Sequence, residues 1–309
     1  MIAALGIGAG LVPAATGATD PPSAGIVTAK PADGQGAALT TSGTVKLSGG
    51  AAVPRDFVGN DGFGDLLAFT PAGVADWRAG TGTGTGRVET KVSGSGWTGA
   101  NTATATVPFE DVSGDRCNDV LVRMKSGELR TYKPACGAAL KPTTAYTKIG
   151  TGWNMFNSLT SPGDMTGGGR ADLLGRTPEG DLYLYRGKGD GFFEPWVKIG
   201  WGWQKYLLAG TGDLDGDGRG DLLARDGSGV VWRYPATGEG TFGTRVQVGY
   251  GWTMYDSMVG AGDLNGGGRA DLLARDTSGA LWSYRGDGKG GLAARVKVGG
   301  GWQMYSQLS

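Results

Sequence analysis

The sequence contains no histidine among its 309 residues, and this absence excludes several kinds of chemistry. Ser-His-Asp and Cys-His catalysis, imidazole zinc sites and histidine pH switches all need the side chain that is missing. An enzyme built from this chain would have to use carboxylates, lysine, tyrosine or serine.

An excess of charge of one sign is lacking too, since 29 Lys and Arg balance 29 Asp and Glu. A balanced chain offers no electrostatic surface to nucleic acid and no polybasic segment to a membrane surface. We therefore predict that nucleic acid is not a partner.

Cysteine is scarce, and Cys117 and Cys136 are the two that occur. Their separation lacks the paired spacing of a zinc site. A bond between them would close a loop of about 20 residues and contribute around 3 kcal/mol in the chain-entropy model. We predict a disulfide and hence an exported protein, with two free thiols as the alternative.

The first 43 residues differ from the rest in composition. Residues 1–24 resemble a signal peptide, with an apolar stretch of small residues and a cleavage site near Ala14 or Ala18, although no Lys or Arg precedes Lys30. A spanning helix is the alternative, but about 17 glycine-rich residues is at the short limit for a bilayer. Residues 25–43 indicate a flexible linker. We predict a secreted, extracellular protein without a membrane span in its mature form.

Glycine is abundant, with 62 residues, and it recurs at fixed places in five repeats. Each repeat carries an acidic turn such as "GDLDGDGRGDLLARD", and the first aspartates of successive turns are 55, 53, 49 and 50 residues apart. A second mark, glycine followed by tryptophan, keeps the same period. The five units begin near residues 52, 107, 160, 209 and 259.

Each unit contains four short runs of β-branched or aromatic residues separated by glycine-containing turns. Four strands in about fifty residues are typical of one propeller blade. We predict an all-β fold over residues 44–309, a five-bladed β-propeller of four-stranded antiparallel blades. The final "MYSQLS" supplies one opening strand and "GTVKLSGG" resembles a closing strand, so we expect one end to complete a blade begun by the other.

The fourth acidic turn is the strongest candidate for a metal site. Calcium prefers hard oxygens at alternating positions of a tight loop with a glycine where the chain reverses. The predicted ligands are the carboxylates of Asp213, Asp215, Asp217 and Asp221 and the carbonyl of Arg219. The alternative is a turn in which the aspartates only cap backbone amides. The ion would stabilise the fold, because a filled oxygen cage leaves no open position for a substrate.

The other turns depart from this pattern to different degrees. The second keeps Asp111, Ser113, Asp115 and Asp119 as candidate calcium ligands, but Arg116 stands where glycine is expected. The first has one extra residue, which puts its register in doubt. The third and fifth have Gly168 and Gly267 in place of an acid and are predicted to be turns without an ion.

The second mark supplies the candidate ligand-binding residues. Sugars stack on aromatic rings, and a repeated loop would give several weak pockets that gain from multiplicity. The alternative is that these rings fill the gap between successive blades. The predicted ligand-binding residues are Trp153, Phe156, Trp203, Tyr206, Trp252, Tyr255, Trp302 and Tyr305.

The acidic turn leading into "DLLARD" resembles the FG-GAP, or VCBS, repeat of secreted bacterial propellers and integrin α-subunit heads. The glycine-tryptophan mark and the five-fold count are similar to those of tachylectin-type five-bladed lectins, and the composition is similar to that of exported actinobacterial proteins. This resemblance implies calcium in the turn and sugar pockets between or on the blades.

These observations predict a secreted, calcium-stabilised propeller that binds glycans or glycoproteins and is not an enzyme. The main alternative is a platform that binds a protein partner. A propeller polysaccharide lyase is a more remote alternative, because no non-repeated cluster of Tyr, Arg, Lys or acids stands out in the sequence.

Overall fold

The computed structural model describes residues 54–83 and 88–309, without the side chains of residues 89 and 90. The signal-like segment, the linker and "GTVKLSGG" lie outside the described residues. Within the described part, twenty strands form five four-stranded antiparallel sheets, which confirms the five-bladed propeller. No described helix is long and apolar enough to cross a membrane.

The strands follow one another around the ring in chain order. The first three are β1 (Leu66–Phe69), β2 (Val74–Gly80) and β3 (Val88–Ser95). The second blade contains β4 (Ala103–Pro108), β5 (Val120–Met124), β6 (Leu129–Tyr132) and β7 (Tyr146–Gly150), and the third contains β8 (Ser158–Gly163), β9 (Asp172–Arg176), β10 (Leu182–Tyr185) and β11 (Val197–Gly200). The fourth contains β12 (Leu207–Gly212), β13 (Asp221–Arg225), β14 (Val231–Tyr234) and β15 (Val246–Gly249), and the fifth contains β16 (Tyr255–Gly262), β17 (Asp271–Asp276), β18 (Leu281–Tyr284) and β19 (Val296–Gly299). The chain ends with β20 (Gln307–Leu308).

The last strand closes the ring by completing the first blade. β20 pairs antiparallel with β1, so that Leu308 lies opposite Ala68 and Gln307 opposite Phe69. The sheet order of the first blade is therefore β20-β1-β2-β3. This confirms that "MYSQLS" supplies an opening strand, and the inner edge of β1 is thereby paired.

The innermost strands β4, β8, β12, β16 and β20 surround the axis, and glycine lets them approach closely. A Cβ atom at Gly260 would lie 2.1 Å from the carbonyl oxygen of Gly210, and one at Gly210 would lie 2.1 Å from that of Ser161. No larger residue fits this packing, which explains glycine inside these strands.

The acidic turns and the glycine-tryptophan marks lie on opposite faces of the ring. Each inner strand starts at a tryptophan turn and ends at an acidic turn, as β16 does between Trp252 and Asp263. In four blades the tryptophan begins a single 3₁₀ turn that follows a glycine in the left-handed conformation, as at Gly202 (φ 82°). This alternation separates a candidate metal-binding face from a candidate ligand-binding face.

Candidate functional site

The first aspartate of each acidic turn caps the backbone of its own loop. Asp213 accepts hydrogen bonds from the amide of Gly216 at 2.6 Å and from that of Gly218 at 2.8 Å. Asp164 and Asp263 each accept several loop amides in the same way. The capping turn that the sequence left as an alternative is therefore present in these blades.

The last aspartate of each turn is buried and distinguishes two kinds of blade. Its Oδ2 accepts an amide from seven residues earlier, such as that of Leu214 in the case of Asp221. In the first, third and fifth blades its Oδ1 also accepts an amide, from Gly80, Gly187 and Gly286 respectively.

In the second and fourth blades, Oδ1 of Asp119 and of Asp221 has no hydrogen-bond partner among the described residues. The residue that would donate in the second blade is Pro134, which has no N–H. In the fourth blade the corresponding residue is Ala236, which follows Pro235. The two turns that the sequence singled out for calcium are thus the two whose buried carboxylate keeps a free oxygen.

The fourth turn brings three acids together. Ligand atoms of Asp213, Asp215 and Asp221 lie within 4.8 Å of one another. Oδ1 of Asp215 is also buried and unpartnered. Asp217 lies outside this cluster, because its carboxylate pairs with the Arg219 guanidinium at 3.4 Å.

Arg233 of β14 provides a positive charge inside this cluster. Its guanidinium binds the carboxylate of Asp215 and lies 3.2 Å from that of Asp221. Burial raises the pKa of Asp221 to about 7, and Arg233 opposes that rise. The donor set fits a hard cation, because two carboxylate oxygens remain unused, but Arg233 competes for part of it.

The second turn is less convergent. Asp111 accepts the amides of Ser113, Gly114 and Arg116, and Asp115 accepts that of Cys117. Arg116 has a φ of 70°, the left-handed conformation that glycine adopts in the other turns. Burial raises the pKa of Asp119 to about 7. Among the described residues these acids do not form a metal-binding cluster, and their role as ligands stays a prediction.

The predicted disulfide between Cys117 and Cys136 is confirmed. It joins the acidic turn of the second blade to the loop between β6 and β7. Cys117 is buried and Cys136 is exposed.

The rings predicted to bind ligand are buried, which is the arrangement of the alternative, in which they fill the gap between successive blades. All eight are in the cores between blades: Trp153, Phe156, Trp203, Tyr206, Trp252, Tyr255, Trp302 and Tyr305. Trp252, for example, stacks on Tyr284 of the fifth blade with ring centroids 4.3 Å apart. Their role as ligand contacts stays a prediction, and Trp252 is the ring for which a cavity supports it.

Arginine side chains, here called the arginine clamp, fix these turns and thereby keep their aromatic rings buried. The last arginine of the second strand of a blade donates to carbonyls of the next tryptophan turn. Arg176 binds the carbonyls of Trp203 (3.1 Å) and Tyr206, and Arg275 binds those of Trp302 (3.2 Å) and Tyr305 (2.7 Å). The turn is thereby fixed between blades.

Two of the exposed rings lie two positions before the repeated tryptophans, inside the Gly-X-Gly turn. Tyr250 is 81% exposed and Trp201 is 52% exposed. The corresponding residues in the other units are Ser95, Thr151 and Gly300. The sequence signal was present in "GWGW" and "GYGW", but it varies among units and is missed when attention goes to repeated residues.

Tyr250 borders a groove between the fourth and fifth blades. The groove has a volume of about 470 Å³. Trp252, Tyr284, Gln247 and Leu292 also line it. This arrangement places an exposed ring, two buried aromatic rings and an amide around one cavity.

Two other tryptophans near the blade surface, Trp232 and Trp282, are covered by arginine side chains. Arg245 lies over Trp232 and Arg295 over Trp282, each 4.1 Å from the ring centroid. In the second blade the two positions are reversed: Arg130 is on β6 and covers the ring of Tyr146 on β7. These cation–π contacts connect the two outer strands of a blade, so these ring faces are occupied.

A family model described as an FG-GAP-like repeat matches residues 164–224 and 213–274. No curated protein matches the sequence. Among solved structures, a lectin from Agrocybe aegerita, studied for its specific recognition of non-reducing terminal N-acetylglucosamine, is 16% identical with a TM-score of 0.40, over 78% of this chain and 91% of that one. The Tc holotoxin pore of Photorhabdus luminescens is 18% identical with a TM-score of 0.42, over 85% of this chain and 13% of that one. Residues 164–274 therefore consist of FG-GAP-like repeats, and they form part of a five-bladed β-propeller.

Proposed function

We propose that this protein is a non-catalytic, carbohydrate-binding propeller that uses the groove between its fourth and fifth blades. The observation that carries the proposal is the Tyr250 ring, exposed beside a cavity of about 470 Å³. A large exposed aromatic ring at the edge of a concave, aromatic-lined pocket is typical of a ligand site.

The chemistry of the groove suits a sugar. The flat ring of Tyr250 offers a face for the C–H groups of a pyranose, and Trp252 and Tyr284 provide an apolar lining. Gln247 carries both a donor and an acceptor for hydroxyl groups. Few charges line the groove, which favours a neutral sugar.

Trp201 repeats the exposed ring one blade earlier. It occupies the same position of the Gly-X-Gly turn as Tyr250 and is likewise exposed. A second weak contact at Trp201 would raise the apparent affinity for a glycan-bearing surface.

We also propose that calcium stabilises the ring. Asp213, Asp215 and Asp221 would hold the ion, and their unpartnered oxygens support this assignment. Bound calcium would supply positive charge to carboxylates that otherwise repel one another. The role of Asp217, of the Arg219 carbonyl and of the second turn is part of the same proposal.

Secretion is proposed as well, supported by the disulfide between Cys117 and Cys136. Disulfides persist mainly in oxidising compartments, where calcium is also abundant enough to fill weak sites.

A protein-binding platform is the second candidate, and a specific observation favours it. Met155, Met254 and Met304 are exposed in three of the tryptophan turns, on the same face of the ring. Exposed methionine adapts to varied apolar partners.

A glycan array with purified protein tests the proposed function. Tyr250→Ala and Trp201→Ala should each reduce binding at least several-fold while leaving the melting temperature nearly unchanged, because both rings are exposed. Tyr146→Ala is the matched control, since that ring is also exposed but lies on an outer strand under Arg130.

A gain-of-site variant sharpens the test. Gly300 occupies the Tyr250 position at the next blade boundary, has no positive φ, and has no atom within 4 Å of an added Cβ. Gly300→Tyr should therefore fold and increase glycan avidity. Unchanged binding in all three variants would contradict the groove, and capture of a protein partner that Met304→Ser abolishes would favour the platform. Depolymerised polysaccharide would contradict the non-catalytic assignment.

A further inference from the structure

The acidic turns of the five blades meet around the axis and enclose a funnel. Its volume is about 690 Å³. The residue that precedes the first aspartate of every turn lines this funnel, and these five residues are Arg55, Glu110, Gly163, Gly212 and Gly262. The position is therefore one ring of equivalent residues around the axis.

Two of these five residues, Arg55 and Glu110, are not glycine. The three glycines have φ values of 98°, 81° and 67°, and Arg55 has a φ of 65°. An arginine in the left-handed conformation is strained, where glycine is not. The fold thus accepts glycine at this position, and the arginine is present for another reason.

The Arg55 guanidinium is incompletely satisfied. Its Nη2 donates across the axis to the carbonyl oxygen of Gly210 at 3.2 Å. Its Nη1 is buried and has no partner among the described residues. Arg55 also lines the narrower channel of about 90 Å³ that continues along the axis. No described acid forms an ion pair with it, so its positive charge has no counterion among the described residues.

Burial lowers the pKa of Arg55 to about 10, which still leaves the side chain cationic at neutral pH. A guanidinium only donates hydrogen bonds, so the complementary group must accept them and carry negative charge. A buried cation without a partner is costly, and an anionic ligand removes that cost.

The surrounding charges select among anions. Glu110, Asp164, Asp213 and Asp263 also line the funnel, together with two further basic residues, Arg170 and Arg269. The four acids outnumber the three arginines, and this net negative charge disfavours a dianion such as phosphate more than a monoanion. The planar guanidinium matches the geometry of a carboxylate, which is a monoanion at neutral pH.

We propose that the central funnel binds a small ligand through a carboxylate held by Arg55. Two sources share this chemistry, an acidic sugar unit and the C-terminus of a peptide. The site lies on the axis and is separate from the groove at Tyr250, so the two sites succeed or fail independently.

The test measures thermal unfolding of the protein with sodium glucuronate, N-acetylglycine, neutral D-glucose or sodium phosphate, each up to about 10 mM, a range that detects dissociation constants near 1 mM. At least one of the two carboxylates should raise the melting temperature of the wild type, and glucose should not. A shift with glucuronate alone identifies an acidic sugar, and a shift with N-acetylglycine alone identifies a peptide terminus.

Arg55→Gly is the decisive variant, because glycine is the residue that three other blades carry at this position. It should abolish the carboxylate-dependent shift and melt at the same temperature as the unliganded wild type or roughly 2–4 °C higher, since strain and a buried charge are removed. Tyr250→Ala should keep the shift. A shift retained in Arg55→Gly, a lower melting temperature of that variant without ligand, or a response to phosphate alone would overturn the proposal.

Discussion

At the scale of single residues, the blades differ mainly in the hydrogen bonds made by the buried aspartate at the end of each acidic turn. Asp172 and Asp271 use both carboxylate oxygens on backbone amides, whereas Asp119 and Asp221 leave one unused. The cause is a proline, which is itself the residue that would donate in the second blade and which precedes that residue in the fourth. The two turns for which the sequence predicts calcium are thus also distinguished by Pro134 and Pro235, which lie just after β6 and β14.

Calcium removal should affect the fourth blade specifically. In wild-type protein, 1 mM calcium acting on a site with a dissociation constant near 100 μM would add about 1.4 kcal/mol to the free energy of unfolding. Asp221→Asn should lose this calcium-dependent increment, because a ligand oxygen is replaced by an amide donor. Melting curves with and without chelator measure it.

Asp172→Asn is the matched control, since it alters the same position in a blade without a free oxygen. It should melt lower in all buffers yet keep the calcium increment. Arg233→Ser, which installs the residue found in the fifth blade, should tighten calcium binding. An increment that survives Asp221→Asn would show that the ion is bound elsewhere.

At the scale of elements, the arginine clamp joins the second strand of one blade to the tryptophan turn of the next. Arg123, Arg176 and Arg275 each reach two carbonyls of the tryptophan turn. Arg225 reaches only that of Trp252, at 3.3 Å, and its Nε has no partner among the described residues. In the first blade Phe69 stands at this position.

Removing the clamp should therefore cost unequal amounts. Arg176→Ala and Arg275→Ala are each expected to lower the free energy of unfolding by about 2 kcal/mol, because two buried carbonyls lose a charged donor. Arg225→Ala should lower it by less than 1 kcal/mol. Urea unfolding monitored by tryptophan fluorescence would compare the three, and equal losses would mean that packing of the side chain, not its hydrogen bonds, is responsible.

The period of the sequence predicted the blades, their four strands and the closing strand, because these depend on repeated turns and alternating apolar residues. It left the burial of Trp203 open as one of two alternatives, and it did not predict the exposure of Tyr250. Both depend on a glycine in the left-handed conformation and on an arginine from another blade, and neither contact is local in sequence. Arg55 and Glu110 were visible as departures from glycine, but only the funnel shows that these positions face a common axis.

At the scale of the whole molecule, neighbouring blades are joined through the acidic turns. The amide of Gly220 donates to the carbonyl of Asp164, and the amide of Gly64 donates to that of Asp263, both at 2.7 Å. The titration of buried aspartates in these turns therefore acts on the ring as a whole.

The free energy of unfolding in calcium-free buffer should fall as the pH rises from about 5 to 8. Burial raises the pKa of Asp65 to about 8, and those of Asp119 and Asp221 to about 7, above the ordinary value of 3.8. A raised pKa stabilises the fold fully below pH 3.8, and this contribution is lost as the pH rises through the folded-state value. Each group contributes at most about 1.4 kcal/mol per pH unit.

Acidification below pH 4 acts in the opposite direction. Hydrogen bonds from Ser278 and Trp282 lower the pKa of Asp276 to about 2, so its contribution is present above pH 3.8 and is lost as the pH falls through 2. Without calcium, melting temperatures should peak near pH 4, and calcium should flatten the decline toward pH 8. A steady rise from pH 5 to 8 without calcium would contradict the burial of these groups.

The seam between β20 and β1 has a consequence for how the ring opens. It joins residues almost 240 positions apart in the chain, through two paired residues and a few flanking hydrogen bonds such as that from the Ser306 amide to the Phe69 carbonyl. Every other blade is closed by contacts that are local in the chain. We therefore expect this long-range pairing to form late in folding. We also expect mechanical force or partial unfolding to open the ring first at the first blade, between β20 and β1.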